Sequence, residues 1–235
     1  MVNRDILYGP RGRYGEAHPT WHVEDSDWKA EHVRSLLRRN GIVPESVCEI
    51  GCGAGAVLGA IHDRLPGASL VGFEVAKDAL ELAAPRATSR LRFELRDVVT
   101  DPPEGQFDLA LLLDVVEHVE DPFELLRAVK GLARRTVLHL PLELSVQALL
   151  RPGRLERSHE QSGHLHFFNE ETALALLVDA GFRVVDTVIT AGGVETRRPT
   201  FRAKAARLPR ALVYRLHPSA AARLLGGCSL LVLAE

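Results

Sequence analysis

The run Val47-Cys48-Glu49-Ile50-Gly51-Cys52-Gly53-Ala54-Gly55 constrains this chain more than any other stretch. Apolar residues lead into three alternate glycines, and helix-forming residues 56–61 follow. That order reads as a buried strand, a tight turn and the start of a helix. Glycines at this spacing let the backbone turn sharply and approach a ligand without interference from a Cβ. The helix beyond presents unpaired N–H groups and the positive end of its dipole. Nucleotide-like ligands sit at such turns in open α/β sheets. Gly51, Gly53 and Ala56 also satisfy the looser dinucleotide pattern, so the turn alone leaves the ligand open.

Strand and helix then alternate. Residues 68–74 read as a second strand, followed by a helix over 76–84 that Pro85 stops. Residues 91–96 alternate with period two as a third strand. The continuous apolar run 107–113 reads as a strand covered on both faces. Asp121-Pro122-Phe123-Glu124 is a helix-start signature, with Asp121 as cap and Pro122 at the first position. Residues 136–140, 182–190 and 229–234 complete the strands, and Asn169 caps a helix ending at Gly181. Such alternation predicts a doubly wound, mostly parallel sheet in one domain, 1–235.

Composition excludes several classes. The 29 basic side chains nearly balance 31 acidic ones, so no general attraction to nucleic acid follows. No apolar stretch is long enough to span a bilayer, and Met1-Val2-Asn3-Arg4-Asp5 opens no signal peptide, so a cytoplasmic location without stable membrane insertion is expected. Cys48, Cys52 and Cys228 show no metal-ligand spacing and are expected to be buried and reduced. Cys52 lies in the ligand loop, where small-residue packing is the favoured account.

Two segments depart from the alternation, 143–168 and 191–227, and loops of this length are expected as lids over an acceptor site. Between 192 and 225 stand Arg197, Arg198, Arg202, Lys204, Arg207, Arg210, Arg215 and Arg223 against Glu195 alone. A solvated helix face and a contact for an anionic acceptor are two readings of equal weight for this set. Helices are expected over 209–216 and 218–225, the second ended by Gly226-Gly227. The N-terminal segment 1–40 contains an amphipathic helix, 26–39, expected to cover the cofactor; Trp28, His32, Val33 and Leu36 share one side.

At this point the residues resemble the class I S-adenosylmethionine-dependent methyltransferases, in the small-molecule subgroup typified by ubiquinone biosynthesis. Four strings in register carry the resemblance: Glu49-Ile50-Gly51-Cys52-Gly53-Ala54-Gly55, Gly72-Phe73-Glu74-Val75-Ala76, Arg96-Asp97-Val98, and Phe107-Asp108 followed by Leu113-Asp114-Val115-Val116-Glu117-His118-Val119-Glu120-Asp121-Pro122. Gly163-His164-Leu165-His166-Phe167-Phe168, ahead of a helix ending Ala180-Gly181-Phe182, resembles the same subgroup. The resemblance implies a Rossmann-like seven-stranded sheet, helices on both faces and an antiparallel last strand.

It also implies S-adenosylmethionine as cofactor, whose chemistry explains the residue types. Glu74, expected outside the core as a strand-end carboxylate, can accept both ribose hydroxyls. The loop of Gly51, Cys52, Gly53 and Gly55 should underlie the amino-acid end, with Glu49 neutralising its ammonium. Asp97 is placed to accept from the adenine amine, and Val75 and Val98 to sandwich the purine. Asp114 and Val115, at the mouth of the fourth strand, should stand nearest the reacting methyl.

Alignment of nucleophile, methyl and sulfur can contribute roughly 7–11 kcal/mol to such a transfer. An oxygen nucleophile of high pKa also needs a base, worth about two to four powers of ten. Histidine suits neutral pH. His118, His139, His159, His164 and His166 are the candidates, with His164 or His166 favoured by their loop and Asp114 as the competing base. His118 reads as a structural hydrogen-bonder. No carboxylate–histidine pattern joins His159, His164 and His166, so no metal is expected. The expected activity is methyl transfer to a small acceptor, a hydroxyl oxygen before nitrogen or carbon. A nicotinamide-dependent dehydrogenase and a module that holds the cofactor without turnover are the alternatives from other classes.

Overall fold

A computed structural model of the chain describes residues 23–192 and 211–235, together with Gly15, Thr20 and Trp21. The expected elements are present. Helix α1 (Ser26–Arg39) precedes β1 (Ser46–Ile50), α2 (Ala56–Arg64), β2 (Ser69–Glu74), α3 (Lys77–Ala83), β3 (Leu91–Leu95) and β4 (Phe107–Leu113). A 3-10 turn, Val116–His118, leads to α4 (Pro122–Leu132), β5 (Ala133–Leu142), α5 (Val146–Leu149), α6 (Arg154–Ser162) and α7 (Glu170–Asp179). The chain closes with β6 (Val184–Thr190), α8 (Pro218–Leu225) and β7 (Cys228–Ala234). Residues 211–216 are also helical.

The seven strands form one sheet in the order β3-β2-β1-β4-β5-β7-β6. β7 runs antiparallel to β5 and β6, and the other pairs are parallel. The chain leaves β1 outward through β2 and β3, then returns to the other side of β1 as β4. That reversal opens a crevice at the carboxyl ends of β1 and β4, where ligands bind in such sheets.

Period-two alternation divides the core between the two faces. Cys48, Ile50, Val71, Phe73, Ala110, Leu112, Leu138 and Leu140 turn to the face covered by α4 and α7. Val47, Leu70, Leu109, Leu111 and Val137 turn to the face covered by α1 and α2. Each fully buried large apolar side chain stabilises the fold by about 1.5–3 kcal/mol. The predicted caps are formed: Asp121 accepts from the Glu124 N–H at 2.9 Å, and Asn169 and Thr172 cap α7 reciprocally. β5 is longer than residues 136–140, because α4 runs straight into it at Ala133.

Of the N-terminal segment, α1 buries Ala30, Val33, Leu36 and Leu37, a broader stripe than expected, while the residues before Val23, apart from the three named, lie outside the described set. In the segment 191–227, Arg197, Arg198, Arg202, Lys204, Arg207 and Arg210 likewise lie outside it. Arg223 is described, and it bonds Glu171 at 2.7 Å on the surface. The segment 143–168 is not bare loop but carries α5 and α6.

Candidate active site

The glycine turn is built as its sequence requires. Gly51 has φ +70°, and a Cβ there would lie 2.7 Å from Cγ2 of Val115. Gly55 has φ +70° at the start of α2, and its Cβ would lie 2.5 Å from the Phe93 ring. Both positions therefore exclude side chains by conformation and by space. Cys52 is packing, as expected: a Cβ on the neighbouring Gly72 would lie 2.6 Å from its sulfur. Burial, with Glu49 and Glu74 nearby, pushes its thiol up and away from thiolate chemistry.

Glu74 departs from expectation. It is buried, only 5% exposed, and its carboxylate organises the turn. One oxygen accepts from the Gly53 N–H at 2.8 Å; the other accepts from Val75 at 2.8 Å and Ala76 at 2.9 Å. Burial raises its pKa, and these three bonds work against that rise. A carboxylate offers about four acceptor positions, so one remains for a further partner. The reason sequence missed this is geometric: the turn folds back over the end of β2 and covers the carboxylate.

Beside the turn lies a pocket of buried charge. Glu49 has one oxygen, Oε2, with no hydrogen-bond partner among the described residues. Burial, together with Glu74, pushes its carboxyl up to about 8, though Lys29 opposes the rise. Asp114, in the left-handed region at φ +55°, ends β4. Its oxygens lie 2.6 Å from His139 Nδ1 and 2.6 Å from Lys29 Nζ. Burial would raise the Asp114 carboxyl, but His139 and Lys29 outweigh it and hold it far below the usual carboxylate range. Burial likewise opposes the Lys29 ammonium, and Asp114 overcomes it. Asp114 is thus a locked anion, which corrects its placement as a competing base. His139 is also committed: its Nε2 lies 3.0 Å from the Thr190 hydroxyl, and the ring is 4% exposed.

The histidines of 159–166 meet the 3-10 turn after β4. The N–H groups of Leu165 and His166 both donate to the Glu117 carbonyl, at 2.7 and 3.2 Å, which pins their loop to the mouth of β4. His164 Nδ1 lies 2.6 Å from Glu143 Oε2, and the Ser158 hydroxyl donates to Glu143 Oε1 at 2.5 Å. Burial would raise the Glu143 carboxyl, but His164 and Ser158 more than offset it and hold it below the ordinary range. The structure gives Nε2 of His164 no hydrogen-bond partner among the described residues. His166 instead binds the Val119 carbonyl through Nε2 at 2.9 Å and stacks on Phe168. His159 Nδ1 is held by the His164 carbonyl at 2.9 Å. His118 contacts the Gly163 carbonyl at 3.4 Å and meets the His164 ring edge-on, as a structural role requires.

Glu117 is fully buried, and neither oxygen has a partner among the described residues. Burial and the neighbouring Asp114 push its carboxyl well above the ordinary range. Ligand atoms of Glu117, His118 and His164 lie within 4.8 Å of one another, so these three are the described residues that could hold a metal ion. The sequence reading weighed His159, His164 and His166 for that role, and the structure does not bring those three together.

Of the residues expected to contact the purine, Asp97 follows β3 and accepts from the Val99 N–H at 3.0 Å. Val75 is exposed, whereas Val98 is 2% exposed within the core beside Phe73. Lys29, Glu117, Glu143, Ser158 and Thr190 are the site residues that sequence reasoning missed. Glu143 carried a usable signal, as the carboxylate directly after a parallel strand. Lys29 carried none, being one cation on an amphipathic helix.

A protein family described as "Methyltransferase domain" matches residues 22–187. The ubiquinone biosynthesis O-methyltransferase of Pseudomonas paraeruginosa (strain DSM 24068 / PA7) is 30% identical over 129 residues, which cover 50% of this chain and 54% of the relative. The chain thus spans about half the length of the curated relatives it matches. The magnesium protoporphyrin IX methyltransferase of Synechocystis PCC 6803, solved with bound SAM, aligns with a TM-score of 0.59 at 16% identity, covering 98% of this chain and 93% of that one. The plantazolicin methyltransferase BpumL, solved with a monoazolic desmethylPZN analog and SAH, aligns at 0.64 and 17%, covering 98% and 92%. At such identities the structural likeness is one of fold.

Proposed function

Because this chain belongs to the class I S-adenosylmethionine-dependent methyltransferases, we propose that it transfers a methyl group from S-adenosylmethionine to a hydroxyl oxygen of a small acceptor. The dehydrogenase reading of the glycine turn falls away with that membership. The residues fit the cofactor. The side-chain-free surface of Gly51, Gly53 and Gly55 leaves room for its amino-acid end, the unpartnered Glu49 oxygen suits the ammonium, and Lys29 suits the carboxylate. Glu74 keeps one acceptor position for the ribose. When bound, the cofactor supplies an electrophilic methyl on a sulfonium.

Glu49 makes this placement testable through protons. With its carboxyl near 8 in the free protein, Glu49 is neutral at pH 6.5, and pairing with an ammonium favours its anion. Binding at pH 6.5 should therefore release a proton, and affinity should improve as pH rises towards 8. The unfolded chain ionises Glu49 near its ordinary value of 4.5, so the free protein loses stability from about pH 4.5 to 8. Glu49→Gln should remove the proton release, flatten that pH dependence of melting and weaken the cofactor by about tenfold or more, the scale of a hydrogen bond to a charged group. Titration calorimetry in two buffers of different ionisation heat checks this. Equal proton release from parent and variant would show that Glu49 does not face the ammonium.

The oxygen assignment is carried by His164. A carboxylate accepts but cannot donate, so Glu143 leaves the proton on Nδ1 and the lone pair on Nε2, the nitrogen without a hydrogen-bond partner among the described residues. A neutral histidine so held, on a loop fastened to the end of β4, can take the proton of an attacking hydroxyl. The charge excess of residues 192–225, eight basic side chains against Glu195, supports an acceptor bearing negative charge. The test measures S-adenosylhomocysteine release from a panel of phenols, alcohols and amines, after dialysis against EDTA. Hydroxyl acceptors should turn over and amines should not. Preference for amines would overturn the oxygen reading, and loss of turnover after dialysis would reassign His164 from base to metal ligand.

A further inference from the structure

We infer that Glu143 is a positioning residue for methyl transfer, holding His164 in the tautomer and orientation that present Nε2, and that Ser158 of the inserted helix α6 holds Glu143 in turn. The inference rests on His164 as the base and adds two residues that act through it.

The geometry separates this histidine from its neighbours. His166 is fixed by a backbone carbonyl, which orients the ring but lends little support to a developing imidazolium. His139 has a carboxylate partner, but its second nitrogen is spent on Thr190. His164 combines a carboxylate at 2.6 Å on one nitrogen with a second nitrogen that has no hydrogen-bond partner among the described residues. A carboxylate behind an imidazole fixes the tautomer and raises the basicity of the far nitrogen. It also stabilises the cation formed when that nitrogen takes a proton, as hydrogen bonds to an ionised group are roughly twice as strong as neutral ones.

Glu143 is itself held from two sides. It directly follows β5, so its backbone is fixed by the sheet. Ser158, 8% exposed, donates to its other oxygen from α6 and also approaches His164 Nδ1 at 3.4 Å. Arg154, on the same helix, adds a favourable charge. The inserted helix therefore supports the base and does more than cover it. An acceptor that disturbed the seat of α6 would lose the base with it, which makes the insertion a point of acceptor selection.

Nitrogen-15 NMR of the labelled full chain reads the tautomer directly, with His164→Ala assigning the resonance and no acceptor required. The parent should show His164 as Nδ1–H. Glu143→Gln should move the tautomer ratio towards Nε2–H by at least about tenfold, and Glu143→Asp should restore most of it. Ser158→Ala, which removes one of the two bonds holding the carboxylate, should move the ratio the same way by a smaller factor, and a parental ratio in that variant would remove Ser158 from the arrangement. Finding Nε2–H in the parent would overturn the inference without any variant. A folded Glu143→Gln protein with the parental ratio would do the same. A parent that methylates no hydroxyl while His164 keeps the Glu143-dependent tautomer would overturn the oxygen assignment alone.

Discussion

His164→Ala should lower kcat by about two to four powers of ten, the span of general-base catalysis, while cofactor affinity stays near parental. A loss of this shape belongs to an interaction made only in the transition state. His166→Ala should cost far less, because that ring is tied to the Val119 carbonyl and has no carboxylate behind it. Steady-state kinetics with the best hydroxyl acceptor, alongside calorimetric cofactor titration, separates the two quantities. If both variants keep near-parental kcat, the loop is structural and the proton leaves by another route. Equal losses in kcat and cofactor affinity would show instead that the substitution disturbs the mouth of β4, where Leu165 and His166 are anchored to Glu117.

Glu74→Ala should damage both the cofactor site and the fold. In a strand-end carboxylate exposed to water, the loss would be confined to the ribose, about 1.5–3 kcal/mol for a hydrogen bond to a charged group. The buried carboxylate also accepts from three backbone N–H groups, of Gly53, Val75 and Ala76. Truncation strands these donors, at roughly 1–3 kcal/mol for each one left buried. We expect cofactor affinity to fall by more than about a hundredfold, with a lower melting temperature even without ligand. Glu74→Gln should be intermediate, since its amide oxygen can still accept while its NH2 faces donors. Parental melting in Glu74→Ala would show that the turn holds itself, leaving Glu74 to the ribose alone.

Much of the fold was legible because it follows from local periodicity. The seven strands, the glycine turn and the Asp121 and Asn169 caps all depend on residues adjacent or a few positions apart. The crevice beyond β1 and β4 follows from strand order, which the motif register implied. The candidate site was legible only where its residues sit on those local elements, as at Glu49, Gly51, Gly55 and Asp114.

What the sequence by itself determined was therefore the scaffold and the positions facing its ligand end. The tertiary structure decided the chemistry of those positions. Asp114 became a locked anion once α1 brought Lys29 to it and β5 brought His139. Glu74 became an organiser because the turn folds back over it. Among the histidines, His164 was singled out by Glu143, 21 residues earlier. Charge state, hydrogen-bond supply and burial all depend on partners distant in sequence, and no local pattern records which partner arrives. Periodicity places a side chain on a face; only the packed neighbours set whether its proton is held, shared or free to move.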